Sequence, residues 1–169
     1  MPWEGLTVTP LFYNFIFLHW VKKGMATQFE LDPRLAADTV NVTDLGLCHV
    51  RLMNDRAVPW LLLIPRKPDL RELHQLSKKE RGQLMDEVVL SQQVLEALFR
   101  PEKLNIGALG NMVNQFHMHV IARFRLDRAW PNAIWNTSPI VRYPDDELEY
   151  MLRSLRGQFG QASVKSARR

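Results

Sequence analysis

Apolar and polar residues alternate over residues 40–44 and again over residues 47–53, with Asp44, Leu45 and Gly46 between the two runs. A two-residue period marks strands with one buried face, and a short Gly-containing break between two such runs predicts an antiparallel hairpin. Asn54 and Asp55 then signal a turn. Residues 60–64 (WLLLI) are apolar throughout and end at Pro65, the pattern of a central strand covered on both faces. Ser77, with Glu80 three residues later, makes a capping box. Leu84, Val88, Leu95 and Leu98 share one face with Ser91, so an amphipathic helix runs from residue 77 to a break before Pro101. Residues 103–109 predict a further strand, Gly110 and Asn111 a turn, and residues 115–125 the returning strand. In that last strand Gln115, His117 and His119 fall on one side, and Phe116, Met118 and Val120 on the other. Upstream, residues 29–31 predict a short strand, and Asp32-Pro33 opens a short helix through Ala37. Downstream, residues 127–131 are irregular. A final helix starts near Asp145, with acidic residues at its positive end, and runs to about Phe159. This order predicts an α+β fold, an antiparallel sheet with one long helix packed on it and a C-terminal helix.

A length of 169 residues predicts one domain able to bury a core. Hydrophobic and charged fractions of 46% and 24% are both ordinary for a soluble globular protein. A net charge of +4 suits acidic small molecules but does not mark specific nucleic-acid binding. The single cysteine, Cys48, excludes an internal disulfide framework and fits a reducing, cytoplasmic setting. Its alternating apolar context predicts a buried, inert thiol. Residues 11–21 are mostly apolar but too short to span a bilayer, and they lack the basic start and cleavage pattern of a signal peptide, so no membrane association is expected. The chain then divides into a non-native or disordered N-terminal extension (1–24), a single domain (25–160) and a basic flexible tail (161–169). The functional alternative for the extension is an interfacial anchor.

The polar face of the histidine strand carries the chemistry. Imidazoles two residues apart on a strand are about 6.6–7 Å apart at the backbone, near enough to act on one small group. A neutral imidazole can attack phosphorus to form a phosphoramidate that water then cleaves, while the other imidazole and an amide hold the phosphate oxygens. A His-x-His metal site is a second reading, but it needs at least a third ligand, and neither His19, His49 nor His74 has a spacing that suggests convergence. The third is a pair of half-exposed strand histidines with no role.

The segment QFHMHVIAR (115–123) resembles the signature of the histidine triad (HIT) superfamily, three histidines alternating with apolar residues. LLLIPRK (61–67) is similar to the family's strand ending in a Pro-basic pair. LNIGALGN (104–111) resembles its Asn- and Gly-rich approach to the histidine strand. The resemblance covers residues 29–125. It implies that His117 is the nucleophile and His119 a phosphate and leaving-group contact, with Gln115 standing where the first histidine would be. It implies phosphate-binding roles for Asn105, Gly110 and Asn111. The activity implied is at the α-phosphate of nucleotides: hydrolysis of phosphoramidates or dinucleoside polyphosphates, or nucleotidyl transfer. No cofactor and no catalytic metal are expected, and the assembly implied is a homodimer whose sheets join across the two-fold.

The departures from that pattern shape the remaining expectations. An amide at position 115 can hydrogen-bond but cannot carry a proton. Trp60 stands where several relatives place another histidine, either stacking on a base or packing in the core or dimer. Leu52 occupies the position of the usual ribose-binding acid, which leaves Asn54 or Asp55 to serve, or simply to turn the chain. Met112 replaces a hydroxyl residue that often precedes the motif. Arg123 shares the histidine face and meets either a phosphate or solvent. Arg66 and Lys67 add positive potential or end the strand in water. Trp130, Pro131 and Trp135 either close over the site or pack on a partner subunit. The missing first histidine and ribose acid favour, as the alternative to an enzyme, a non-catalytic nucleotide-binding module.

Overall fold

The computed structural model describes residues 28–135, 137 and 139–166. Its frame is one antiparallel sheet of five strands: β1 (Thr39–Asp44), β2 (Cys48–Met53), β3 (Trp60–Pro65), β4 (Lys103–Gly107) and β5 (Met118–Arg123). The strand order is β1-β2-β3-β5-β4, so β5, which carries His119, lies between β3 and β4. Among the described residues three helices accompany it: α1 (Pro33–Asp38), α2 (Lys78–Phe99) and α3 (Asp145–Ser166), with a 3-10 turn at Leu73–Gln75.

Alternation along the strands sorts the side chains into two layers. Val50, Leu52, Leu61, Leu63, Met118, Val120 and Ala122 face the helices, packing with Leu84, Val88 and Leu95 of α2 and Leu152, Leu155 and Phe159 of α3. Trp60, Leu62, Ile64 and Ile121 face the other way, under Leu35 of α1 and under Ala129 and Ile134 of the irregular segment after β5. Cover on both sides explains why every residue of β3 is buried and why that strand reads as an unbroken apolar run. The second layer holds the histidines, and irregular chain rather than a long helix covers it.

The capping box of α2 is present: Ser77 accepts from the Glu80 N–H and Glu80 from the Ser77 N–H. The polar residues inside its buried stripe have local partners. Glu87 is buried and accepts from the N–H groups of Leu47 and Cys48 at 2.6 and 2.9 Å, tying the β1–β2 turn to the helix. Ser91 donates its hydroxyl to the Glu87 carbonyl. Cys48 is fully buried, and its burial, with Glu87 beside it, pushes the thiol far above its ordinary pKa.

Some predicted boundaries shift. Residues 29–31 form no strand. Instead the Gln115 side chain holds them, its Oε1 accepting from Asp32 N and its Nε2 donating to the Glu30 carbonyl. A side-chain clamp therefore replaces the expected ladder. The ladder of β5 begins at Met118 rather than residue 115, and β4 stops at Gly107 rather than residue 109. Helix α3 continues to Ser166, so the expected tail boundary at residue 161 falls within it. The extension over residues 1–24 and the last residues, 167–169, lie outside the described residues. Among the described residues, no helix is long and apolar enough to cross a membrane.

Candidate active site

His119 sits in the middle of the sheet, opposite Leu62 on β3 and Gly107 on β4. The Trp60 indole N–H donates to its Nδ1 at 2.8 Å. An indole N–H only donates, so Nδ1 supplies a lone pair and the ring hydrogen of neutral His119 lies on Nε2. His117 stands just before the β5 ladder, and its Nδ1 meets the Gln115 carbonyl oxygen at 2.7 Å. A carbonyl only accepts, so here the hydrogen is on Nδ1, and the neutral ring keeps its lone pair on Nε2. The two rings lie edge to face, with centroids 4.8 Å apart. One therefore offers a basic nitrogen and the other an N–H donor. Both residues are more than nine-tenths buried.

Trp135 completes the cluster. Its ring lies 5.7 Å from that of His119 and 6.4 Å from that of Trp60, both edge to face. It rests on Gly107, where a Cβ would come within 3.0 Å of the indole. Only glycine admits the ring at that distance. A glycine inside a strand pattern is the one sequence signal that marks such a close approach. The Trp135 N–H is buried with no partner among the described residues, a cost that a bound acceptor relieves.

The other candidate residues divide by what they touch. Arg123 does not meet solvent. It is 2% exposed, forms a bidentate pair with Asp127 at 2.7 and 3.0 Å, and also donates to the Asn132 carbonyl and to Asn105 Oδ1. Because Arg123 occupies its oxygen, the Asn105 amide is turned so that its NH2 is the end left for another partner. Asp127 was invisible as a partner in the sequence, since Arg123 reads as a strand residue facing out. Asn54 and Asp55 are bonded within the chain. Asn54 Oδ1 accepts from Tyr143 N, and Asp55, fully buried, pairs with Arg128 at 2.6 Å. The carboxylate at 55 thus has a half-buried cation of its own. Gly110 has φ +105°, in the left-handed region that favours glycine, and Asn111 follows it in the exposed loop before the histidines. The Gln115 side chain is engaged with residues 30 and 32; only its main-chain carbonyl orients His117. Arg66 bonds the carbonyls of Leu45 and Gly46, and Lys67 pairs with Glu80, both at the strand end. Among the described residues, no three His, Cys, Asp or Glu side chains converge as a metal site.

Burial, then the neighbouring His117, push His119 down to about 3 from the ordinary imidazole value of 6.5. It is neutral at physiological pH. With the folded pKa below the unfolded one, the unfolded chain takes up the proton first. Stability is therefore expected to fall as the pH drops from 6.5 towards 3, by a few kcal/mol in all. Chemical denaturation across that window measures it. Nitrogen NMR is expected to show His119 as the Nε2–H tautomer with no titration between about pH 5 and 8. Trp60→Phe frees Nδ1, so the tautomers mix and the midpoint rises, by about one unit at most given the worth of one neutral hydrogen bond. An unchanged tautomer in that variant would show that Trp60 does not set it.

The HIT domain family model matches residues 34–126, a span that takes in both histidines, Trp60 and all of β1–β5. A comparison with functionally curated proteins returns no match. Solved structures do match. A histidine triad protein from Sinorhizobium meliloti is 39% identical, with a TM-score of 0.76, over 79% of this chain and 99% of that one. One from Bradyrhizobium japonicum is 37% identical with a TM-score of 0.76, over the same shares of the two chains. One from Marinobacter aquaeolei is 37% identical, with a TM-score of 0.77, over 80% of this chain and 99% of that one. Family match, overlying folds and a paired-histidine strand agree, and the chain belongs to the HIT (histidine triad) domain family.

Proposed function

We propose that this protein is a nucleotide hydrolase or nucleotidyl transferase acting at the α-phosphate, with His117 as nucleophile. The observation that carries this reading is the pair of opposite tautomers. His117 Nδ1–H is held by the Gln115 carbonyl, which leaves Nε2 to attack phosphorus, and His119 offers Nε2–H to the oxygens around it. The NH2 of Asn105 and the backbone near Gly110 and Asn111 bind the phosphate in this reading. Trp60 acts through His119 rather than by stacking on a base. Asn54, Asp55 and Arg123 have structural roles. No cofactor takes part.

The test is incubation with diadenosine tetraphosphate and adenosine 5′-phosphoramidate, following AMP by chromatography. AMP from either substrate, with a nucleotidyl adduct on His117 trapped by rapid denaturation at neutral pH, supports the reading. Tight binding without product overturns it in favour of a non-catalytic nucleotide-binding module.

The assembly in this reading is a homodimer joined through β4. Among the described residues that strand has only β5 beside it, and Ile106, 44% exposed, lies on it. Light scattering giving a monomer mass would reject the dimer. We place the protein in the cytoplasm, on the strength of its one unpaired thiol.

A further inference from the structure

We propose that this site cleaves phosphoanhydrides and not P–N bonds, because, among the described residues, those around the two imidazoles offer the departing group hydrogen bonds but no proton. The inference rests on the α-phosphate reading above and narrows its substrate class.

His119 keeps one hydrogen, on Nε2. To give it up and remain neutral, the ring would have to take a hydrogen at Nδ1, and Trp60 blocks that nitrogen with an N–H that has no proton to release. His119 is therefore a donor that cannot become an acid. His117 keeps its hydrogen on Nδ1, facing a carbonyl, on the side of the ring away from the attacking nitrogen. Gln115 cannot ionise, and both ends of its amide are engaged with residues 30 and 32. Trp135, against the His119 ring, adds another neutral N–H. The arrangement suits a departing group that leaves as a stable anion.

The step balances on those terms. The Nε2 lone pair of His117 forms the N–P bond. The bridging P–O bond breaks, and its electron pair departs on the leaving phosphate oxygen, which accepts from His119 Nε2–H. The nucleotidylated imidazolium keeps its hydrogen on Nδ1. Water then attacks phosphorus, the P–N bond breaks with its pair returning to Nε2, and the proton lost by water passes to solvent. An amine displaced from a phosphoramidate would need a proton as it leaves, since its amide anion is too basic to depart.

The experiment compares kcat/KM of the full chain on diadenosine tetraphosphate and adenosine 5′-phosphoramidate, and on adenosine 5′-aryl phosphates of graded phenol acidity. The anhydride is expected to be favoured by about 10²–10⁴-fold, the range a positioned general acid would supply. The aryl series is expected to slow steeply as the phenol becomes less acidic. Trp60→His gives His119 a partner able to carry a proton, and the anhydride preference is expected to shrink about tenfold or more. Equal or faster cleavage of the phosphoramidate overturns the proposal, as does a flat aryl series. An unchanged preference in a folded Trp60→His variant overturns the part assigned to Trp60. Absence of cleavage and of adduct with every substrate rejects the α-phosphate reading itself, and this inference with it.

Discussion

Replacing His117 with alanine is expected to remove nucleotide turnover and the trapped adduct together, by about 10⁴-fold or more, because in the proposed reaction its Nε2 makes the bond to phosphorus. The fold is expected to survive. The substitution deletes one hydrogen bond, to the Gln115 carbonyl, worth about 1 kcal/mol. A circular-dichroism spectrum like that of the native protein separates lost chemistry from lost structure. Gln115→Ala is the informative contrast. The carbonyl that orients His117 belongs to the main chain and remains in that variant, while the clamp on Glu30 and Asp32 is lost. Its turnover is expected to fall far less than that of His117→Ala. Full activity in His117→Ala would end the nucleophile assignment.

Arg123→Met is expected to be the most destabilising single change, by about 3–5 kcal/mol, because it strands Asp127 as a buried charge without its cation. The pair is bidentate, and the two side chains are 2% and 1% exposed. Burial works to raise the Asp127 pKa. The Arg123 guanidinium and the N–H groups of Ala129 and Phe124 outweigh it and hold the carboxyl at about 2, below its ordinary 3.8. A depressed carboxylate stabilises the fold above its unfolded pKa and stops doing so as the pH falls through the folded one. This contribution is therefore lost between 3.8 and 2, a lower window than that of His119. Urea unfolding at neutral pH measures the loss, and Arg123→Met combined with Asp127→Leu is expected to recover part of it. A loss below about 1 kcal/mol would show that the pair behaves like an exposed one. Turnover is also expected to drop in Arg123→Met, since Asn105 loses the donor that turns its amide.

Much of this protein was legible along the chain. The alternation around His117 and His119 predicted a strand with Phe116, Met118 and Val120 in the core, and all three are buried there. Ser77 and Glu80 marked the start of α2, and Pro65 and Pro101 marked where elements end. These features depend on neighbours within a few residues, and local periodicity reports them directly. The HIT resemblance, carried by QFHMHVIAR and its approach segment, extended the reading to the whole sheet.

The partners of polar side chains were another matter. Arg123, Asp55 and Gln115 all carry groups that suit a phosphate or ribose, and the structure gives each a protein partner: Asp127, Arg128, and the backbone at residues 30 and 32. Trp60 shows the same limit, since its hydrogen bond to His119 spans 59 positions of sequence. The chain by itself determined the strands, the capped helix and the pair of imidazoles on one face, because burial along an element repeats with that element's own period. Only the tertiary structure decided which imidazole nitrogen holds a hydrogen and which charges are already paired. That depends on which donor or acceptor the packed chain brings within 3 Å, two residues away for His117 but 59 away for His119 and 73 away for Asp55.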